Sequence, residues 1–196
     1  MPKKKETLNV QEVWNAQNTS QIIAFGSGKG GVGKTFLTLS FALELVQQGK
    51  KVLVFDGDLG LPNVDIALGL EPKTDLADVL LKSYPLNQVV SKSLGMDVIA
   101  GYSGTTALLD VSMEKVSQLV EDLKILGRHY DYVLIDLGTG LEKTVRLLAS
   151  CAQTVVVVCT EELTSLVDAY AFMKMLGNVG INGEKTAVLV NQVNGM

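Results

Sequence analysis

The stretch Gly28-Lys29-Gly30-Gly31-Val32-Gly33-Lys34-Thr35 fits the pattern G-x-x-x-x-G-K-[ST] without a gap. It follows a short apolar run, Ile22 to Phe25, and precedes a segment from Thr35 to Gln47 whose apolar residues recur at helical spacing. A strand that feeds a glycine-rich loop, and a helix that leaves it, restrict the chain to few folds. Glycines at these positions let the backbone turn tightly, so that successive N–H groups converge on phosphate oxygens at a helix N-terminus. Lys34 is spaced to reach the β and γ phosphates as a point charge, and the Thr35 hydroxyl is the expected ligand of a magnesium ion bridging them. The expected cofactor-binding set runs through Gly28, Lys29, Gly30, Gly31, Val32, Gly33, Lys34, Thr35 and Phe36, with a nucleoside triphosphate and Mg2+ as the ligands.

After that loop, β-branched runs alternate with helical patterns. Strands are expected near 22–26, 51–56, 96–100, 131–136, 154–160 and 185–191, and helices near 34–48, 113–127, 141–150 and 164–177. This alternation predicts an α/β fold, a mostly parallel doubly wound sheet with helices on both faces. In such folds ligands sit at the carboxyl ends of the strands, where the glycine loop lies. Residues 1–20 read as a polar N-terminal extension with a short helix around Leu8 to Trp14, and 21–196 as the P-loop domain. Because the last predicted strand runs almost to Met196, the C-terminal part of the sheet is expected to be missing.

At 196 residues and 47% hydrophobic, the chain can bury one sizeable core. The net charge of -4 gives no general attraction to nucleic acid, so a DNA-binding surface would have to be local. Lys3-Lys4-Lys5 reads as a solvated tail. Cys151 and Cys159, set among apolar neighbours, match no metal signature and read as reduced core thiols. No apolar stretch is long enough to span a bilayer and no secretory signal is present, which points to the cytoplasm. His129 is the only histidine and falls at the end opposite the phosphate loop. Ser27 and Ser103 have no base partner, which excludes a serine hydrolase.

Two strands end in carboxylates. Val54-Phe55-Asp56-Gly57-Asp58 closes the second, and Tyr132-Val133-Leu134-Ile135-Asp136 precedes Leu137-Gly138-Thr139-Gly140. Beside a triphosphate, such acids can hold metal-bound water or magnesium and orient the attacking water, although either sequence alone is also an ordinary turn.

The extra lysine at 29 gives the run Lys-Gly-Gly-Val-Gly-Lys-Thr, which resembles the deviant Walker A motif of the MinD/ParA family of ATPases. The resemblance extends from Gln21 to Asn191. It includes Asp56-Gly57-Asp58-Leu59-Gly60-Leu61-Pro62-Asn63-Val64-Asp65, similar to the Walker A′ and switch I segment, and Thr160-Glu161-Glu162-Leu163-Thr164-Ser165. Details of these segments look most like the FlhG/FleN (YlxH) branch, which regulates flagellar number and placement. The resemblance implies that Lys29 reaches across an ATP-sandwiched homodimer to the partner's phosphates, and that Asp58 positions the hydrolytic water. It also implies metal ligation by Thr35, Asp56 and Asp136, and a hydrogen bond from Asn191 to the adenine. The catalytic set is then Lys29, Lys34 and Asp58.

The implied activity is slow ATP hydrolysis by a molecular switch, since no arginine finger is evident. An FlhF-like GTPase or another flagellar or cell-pole protein is the implied partner. Membrane contact is implied only through a C-terminal helix absent from this chain. Leu137 and Thr139 depart from the family's second switch, Leu163 replaces its usual proline, and the D-Q-A-x-x-L-R motif that acts on FlhF is not found. A ParA-like DNA-partitioning ATPase, a MinD-like division-site ATPase and a non-hydrolysing scaffold are the alternative readings.

Overall fold

The computed structural model describes residues 20–101 and 111–193. The helix expected around Leu8 to Trp14, and Ser103, lie outside them. Seven strands form one sheet: β1 (Gln21–Ser27), β2 (Val52–Gly57), β3 (Val90–Ser93), β4 (Met96–Ile99), β5 (Tyr132–Thr139), β6 (Thr154–Thr160) and β7 (Thr186–Asn191). Helices α1 (Lys34–Gln47), α2 (Val64–Leu68), α3 (Leu76–Lys82), α4 (Met113–Gly127), α5 (Lys143–Ser150) and α6 (Leu163–Asn178) connect them.

The strand order is β3-β4-β2-β5-β1-β6-β7, and every ladder is parallel except β3 with β4. The doubly wound expectation holds. Strand β2 does not adjoin β1, because β5 lies between them. That insertion brings Asp136 between the glycine loop and the acids of β2.

Alternation along the strands builds two apolar layers. Leu53, Phe55, Val133 and Ile135 pack beneath α3, α4, α5 and α6, while Val52, Val54 and Leu134 pack on the α1 and α2 side. Central strands buried on both faces explain the nearly continuous Val/Leu/Ile runs. Gly26 permits close packing of α6 on β1, since a Cβ there would meet the Phe172 ring of α6 at 2.5 Å. Cys151 and Cys159 are free and buried, and burial pushes the Cys151 thiol up to about 11, as expected of inert core cysteines.

Candidate functional site

The loop from Gly28 to Gly33 connects β1 to α1 at the carboxyl edge of the sheet. Helix α1 begins without a side-chain N-cap and without an acidic residue in its first turn. Its leading amides and the positive end of its dipole are thus left to an anion. Gly33 is left-handed, φ 89°, and the Nδ2 of Asn191 lies 2.4 Å from where its Cβ would be. Both facts exclude a side chain. Gly28 is excluded differently: its Cβ would meet the Asp168 carbonyl of α6 at 2.3 Å, so this glycine lets the loop lie against α6.

Behind the loop, Lys34 and Asp136 form a buried ion pair, Nζ to Oδ1 3.2 Å, with side chains 9% and 2% exposed. The Thr35 hydroxyl donates to Asp136 Oδ2, and Thr38 Oγ1 lies 3.4 Å from Oδ1. Lys34 and Thr35, adjacent in sequence, thus converge on one carboxylate of β5. Thr38, one turn further along α1, completes this set and was not singled out by the sequence pattern.

Asp56 stands opposite Asp136 in register on β2. Its Oδ2 accepts from the amides of Asn63 and Val64, both at 3.0 Å, and its Oδ1 from that of Asp58 at 3.1 Å. Burial raises its pKa to about 7, the neighbouring Asp136 charge pushes the same way, and the three amides oppose them. Asp56 therefore anchors the segment that carries Asp58, besides lying next to the expected metal ligand. Asp58 Oδ1 accepts from the Gly60 and Leu61 amides at 3.1 and 2.9 Å. It lines a cavity of about 630 Å³ shared with Lys34 and Thr35, and on its other side a 220 Å³ cleft toward Thr139 and Glu142.

Lys29 points the other way, across the loop to α6. Its ammonium pairs with Glu162 and sits 3.1 Å from Thr164 Oγ1. That hydrogen bond and the lysine charge hold the Glu162 carboxyl below its ordinary range. At the far edge, Asn191 Nδ2 donates to the Val32 carbonyl at 2.9 Å, and Gln192 Nε2 to that of Gly31 at 3.2 Å. The two amides at the end of β7 therefore hold the loop. Gln192 was not anticipated, and an adjacent Asn-Gln at a strand end was the available signal. Phe36 is 70% exposed at the mouth of the larger cavity. His129 lies near Lys51 and Tyr130 by the amino ends of the strands, away from the loop.

The residues fit magnesium and a triphosphate. Uncapped amides and Lys34 suit phosphate oxygens, while Thr35, Asp136 and Asp56 supply the hard oxygens that magnesium prefers. Fold and site together define a P-loop nucleotide-binding protein. A family model described as an AAA domain matches residues 20–186, and the chain belongs to the MinD/ParA family of such proteins.

The antiactivator FleN of Pseudomonas aeruginosa is 37% identical over 157 residues, which cover 80% of this chain and 56% of the relative. The flagellum site-determining protein YlxH of Helicobacter pylori is 31% identical over 169 residues, 85% of this chain and 57% of the relative. This chain thus spans a little over half the length of those curated relatives. Among solved structures, the septum site-determining protein MinD of Pyrococcus horikoshii, complexed with Mg-ADP, superposes with a TM-score of 0.73 at 26% identity. That match covers 87% of this chain and 68% of the other.

Proposed function

We propose that this chain binds Mg-ATP in the Gly28–Thr35 loop, hydrolyses it slowly, and uses the bound state to hold a homodimer that regulates flagellar number or placement. The observation that carries the reading is the convergence of Lys34 and Thr35 on buried Asp136 beneath an uncapped helix start. Thr35 and Asp136 would hold magnesium, with Asp56 close by; the ion would supply charge neutralisation and orientation of the phosphates. Lys34 would exchange Asp136 for phosphate oxygens. Asp58, on the segment tied to Asp56, would orient water, and Asn191 would meet the adenine while steadying the loop. No arginine finger is among these groups, so turnover rests on positioning and electrostatics and is slow.

Two features support dimerisation. The pair of Lys29 with Glu162 is solvent-accessible, with side chains 35% and 66% exposed, so its exchange for a phosphate costs little. Beside it, α6 presents Leu163, Val167 and Tyr170, exposed to 77%, 59% and 66%, at helical spacing. Among the described residues no helix is long and apolar enough to cross a membrane. We place the protein in the cytoplasm, with any FlhF-like partner acting on the dimer.

Gel filtration of Asp58→Ala tests the reading. A monomer with Mg-ADP and a dimer with Mg-ATP are expected. An elution volume indifferent to nucleotide would favour a scaffold, and salt-sensitive retention of nonspecific DNA would favour a partitioning ATPase.

A further inference from the structure

The ladder between β1 and β5 is regular as far as Phe25 and Asp136 and then slips, because the next pair is Ser27 with Thr139. Regular pairing would set Gly138 opposite Ser27. The extra residue makes β5 bulge just past Asp136, and a bulge beside a site re-aims the side chain that follows it. Since a one-residue shift exchanges the two faces of a sheet, Thr139 rather than Gly138 comes to the face that carries Asp136.

This position is tied to the phosphate loop. Ser27 Oγ donates to the Lys29 carbonyl at 2.8 Å, and the Gly140 amide donates to the Ser27 carbonyl at 3.2 Å. Gly140, left-handed at φ 96°, lets the chain turn away directly after Thr139. Thr139 is exposed, and it borders both the 630 Å³ cavity shared by Lys34 and Thr35 and the 220 Å³ cleft toward Glu142.

Asp58 borders the same two spaces, and a Cβ on Gly138 would lie 3.4 Å from its carboxyl carbon. Its Oδ1 is held by the Gly60 and Leu61 amides, whereas among the described residues no group bonds to its Oδ2 or to the Thr139 hydroxyl. The two groups differ in what they offer. An ionised carboxylate only accepts, while a hydroxyl accepts one hydrogen bond and donates another. A water that attacks a terminal phosphate needs acceptors for its protons, and the phosphate oxygens need donors. Asp58 meets the first need alone; a hydroxyl meets both.

We infer that the Thr139 hydroxyl orients the attacking water together with Asp58, accepting from the water while donating to an oxygen of the terminal phosphate. The inference rests on the ATPase reading and deepens it. In the step served, the water oxygen bonds to the γ phosphorus, and the bond from that phosphorus to the bridging oxygen breaks with its electron pair left on the diphosphate. One water proton stays on the released phosphate and the other passes to solvent.

Thr139→Val keeps the branched shape and removes the hydroxyl, and Thr139→Ser returns it. Calorimetric titration with Mg-ADP, with and without aluminium fluoride as a stand-in for the phosphate in transit, is read beside turnover of Mg-ATP. Thr139→Val should bind Mg-ADP as the unaltered chain does and should lose about tenfold or more in both fluoride-dependent affinity and kcat, as for one hydrogen bond to a charged group. Thr139→Ser should recover most of both. Unchanged fluoride-dependent affinity and kcat in Thr139→Val would overturn the inference. So would a Thr139→Ser as impaired as Thr139→Val, which would assign the effect to the lost methyl group, or a phosphate found by mass spectrometry on Thr139, which would make the hydroxyl the nucleophile. Those three results leave the ATPase reading standing, whereas an unaltered chain that binds neither Mg-ADP nor Mg-ATP would overturn that reading and this inference together.

Discussion

Asp56 and Asp136 are direct register partners on adjacent parallel strands, and both carboxyls are buried. Among the described residues, Asp136 has the Lys34 ammonium as its counter-charge, whereas Asp56 relies on backbone amides. This asymmetry separates their roles: Asp136 gathers Lys34 and Thr35 at the phosphate loop, and Asp56 ties the Asp58 segment to the same point.

The raised pKa of Asp56 gives a pH dependence whose sign is fixed. A carboxyl at about 7 in the folded chain, against 3.8 unfolded, binds its proton more tightly when folded. The stability it contributes is complete below about pH 4 and is lost as pH rises through 7. Urea titrations at a series of pH values should show the unaltered chain losing stability between these limits, by more than Asp56→Asn does. Saturating magnesium, which favours the ionised carboxylate, should reduce the loss.

Removal of Lys34 strands a buried carboxylate. In Lys34→Ala the Asp136 charge keeps only hydroxyl partners, and the fold should lose about 3 kcal/mol, the lower end for breaking a buried ion pair. Chemical denaturation measures it. The additional substitution Asp136→Asn should recover most of the loss, because no unpaired charge remains.

Gly28 and Gly30 look alike in sequence and differ in space. A Cβ at Gly28 meets the Asp168 backbone at 2.3 Å, while one at Gly30 meets nothing within 4 Å. Gly28→Ala should therefore weaken Mg-ATP binding about tenfold or more, ~1.4 kcal/mol, by pushing the loop off α6. Gly30→Ala should bind nearly as the unaltered chain does. Calorimetric titration of both variants decides it.

Asn191 and Gln192 hold the loop through its own carbonyls. Asn191→Ala should weaken ATP binding more than Gln192→Ala, because only Asn191 is assigned an adenine contact in addition. If the adenine contact is real, Asn191→Ala should also narrow the preference for ATP over GTP, whereas Gln192→Ala should leave it unchanged. Competition binding with the two nucleotides checks both.

The glycine loop and the acids ending β2 and β5 were legible in the sequence because each is local: a spacing, or a charge closing an apolar run. Strand adjacency is not local, and the placement of β5 between β1 and β2 could not be read. Strand β3 escaped because Val90–Ser93 is a short, mostly polar, half-exposed run without the alternation of a buried face. Helix α2, five residues long, is too short to show a period. Helix α3 did carry a readable start, since Asp75 accepts from Ala77 and Asp78 reaches back to the Asp75 amide in a capping box. The contact of Lys29 with Glu162 joins residues 133 apart and has no local signature.

Calorimetric titration of Mg-ATP into the unaltered chain and into Lys34→Ala tests the phosphate site most directly. Magnesium-dependent binding that Lys34→Ala weakens by about a hundredfold, ~2.7 kcal/mol, is the predicted result. Equal affinity in the two proteins, or no binding in either, would contradict a triphosphate seated on the Gly28–Thr35 loop.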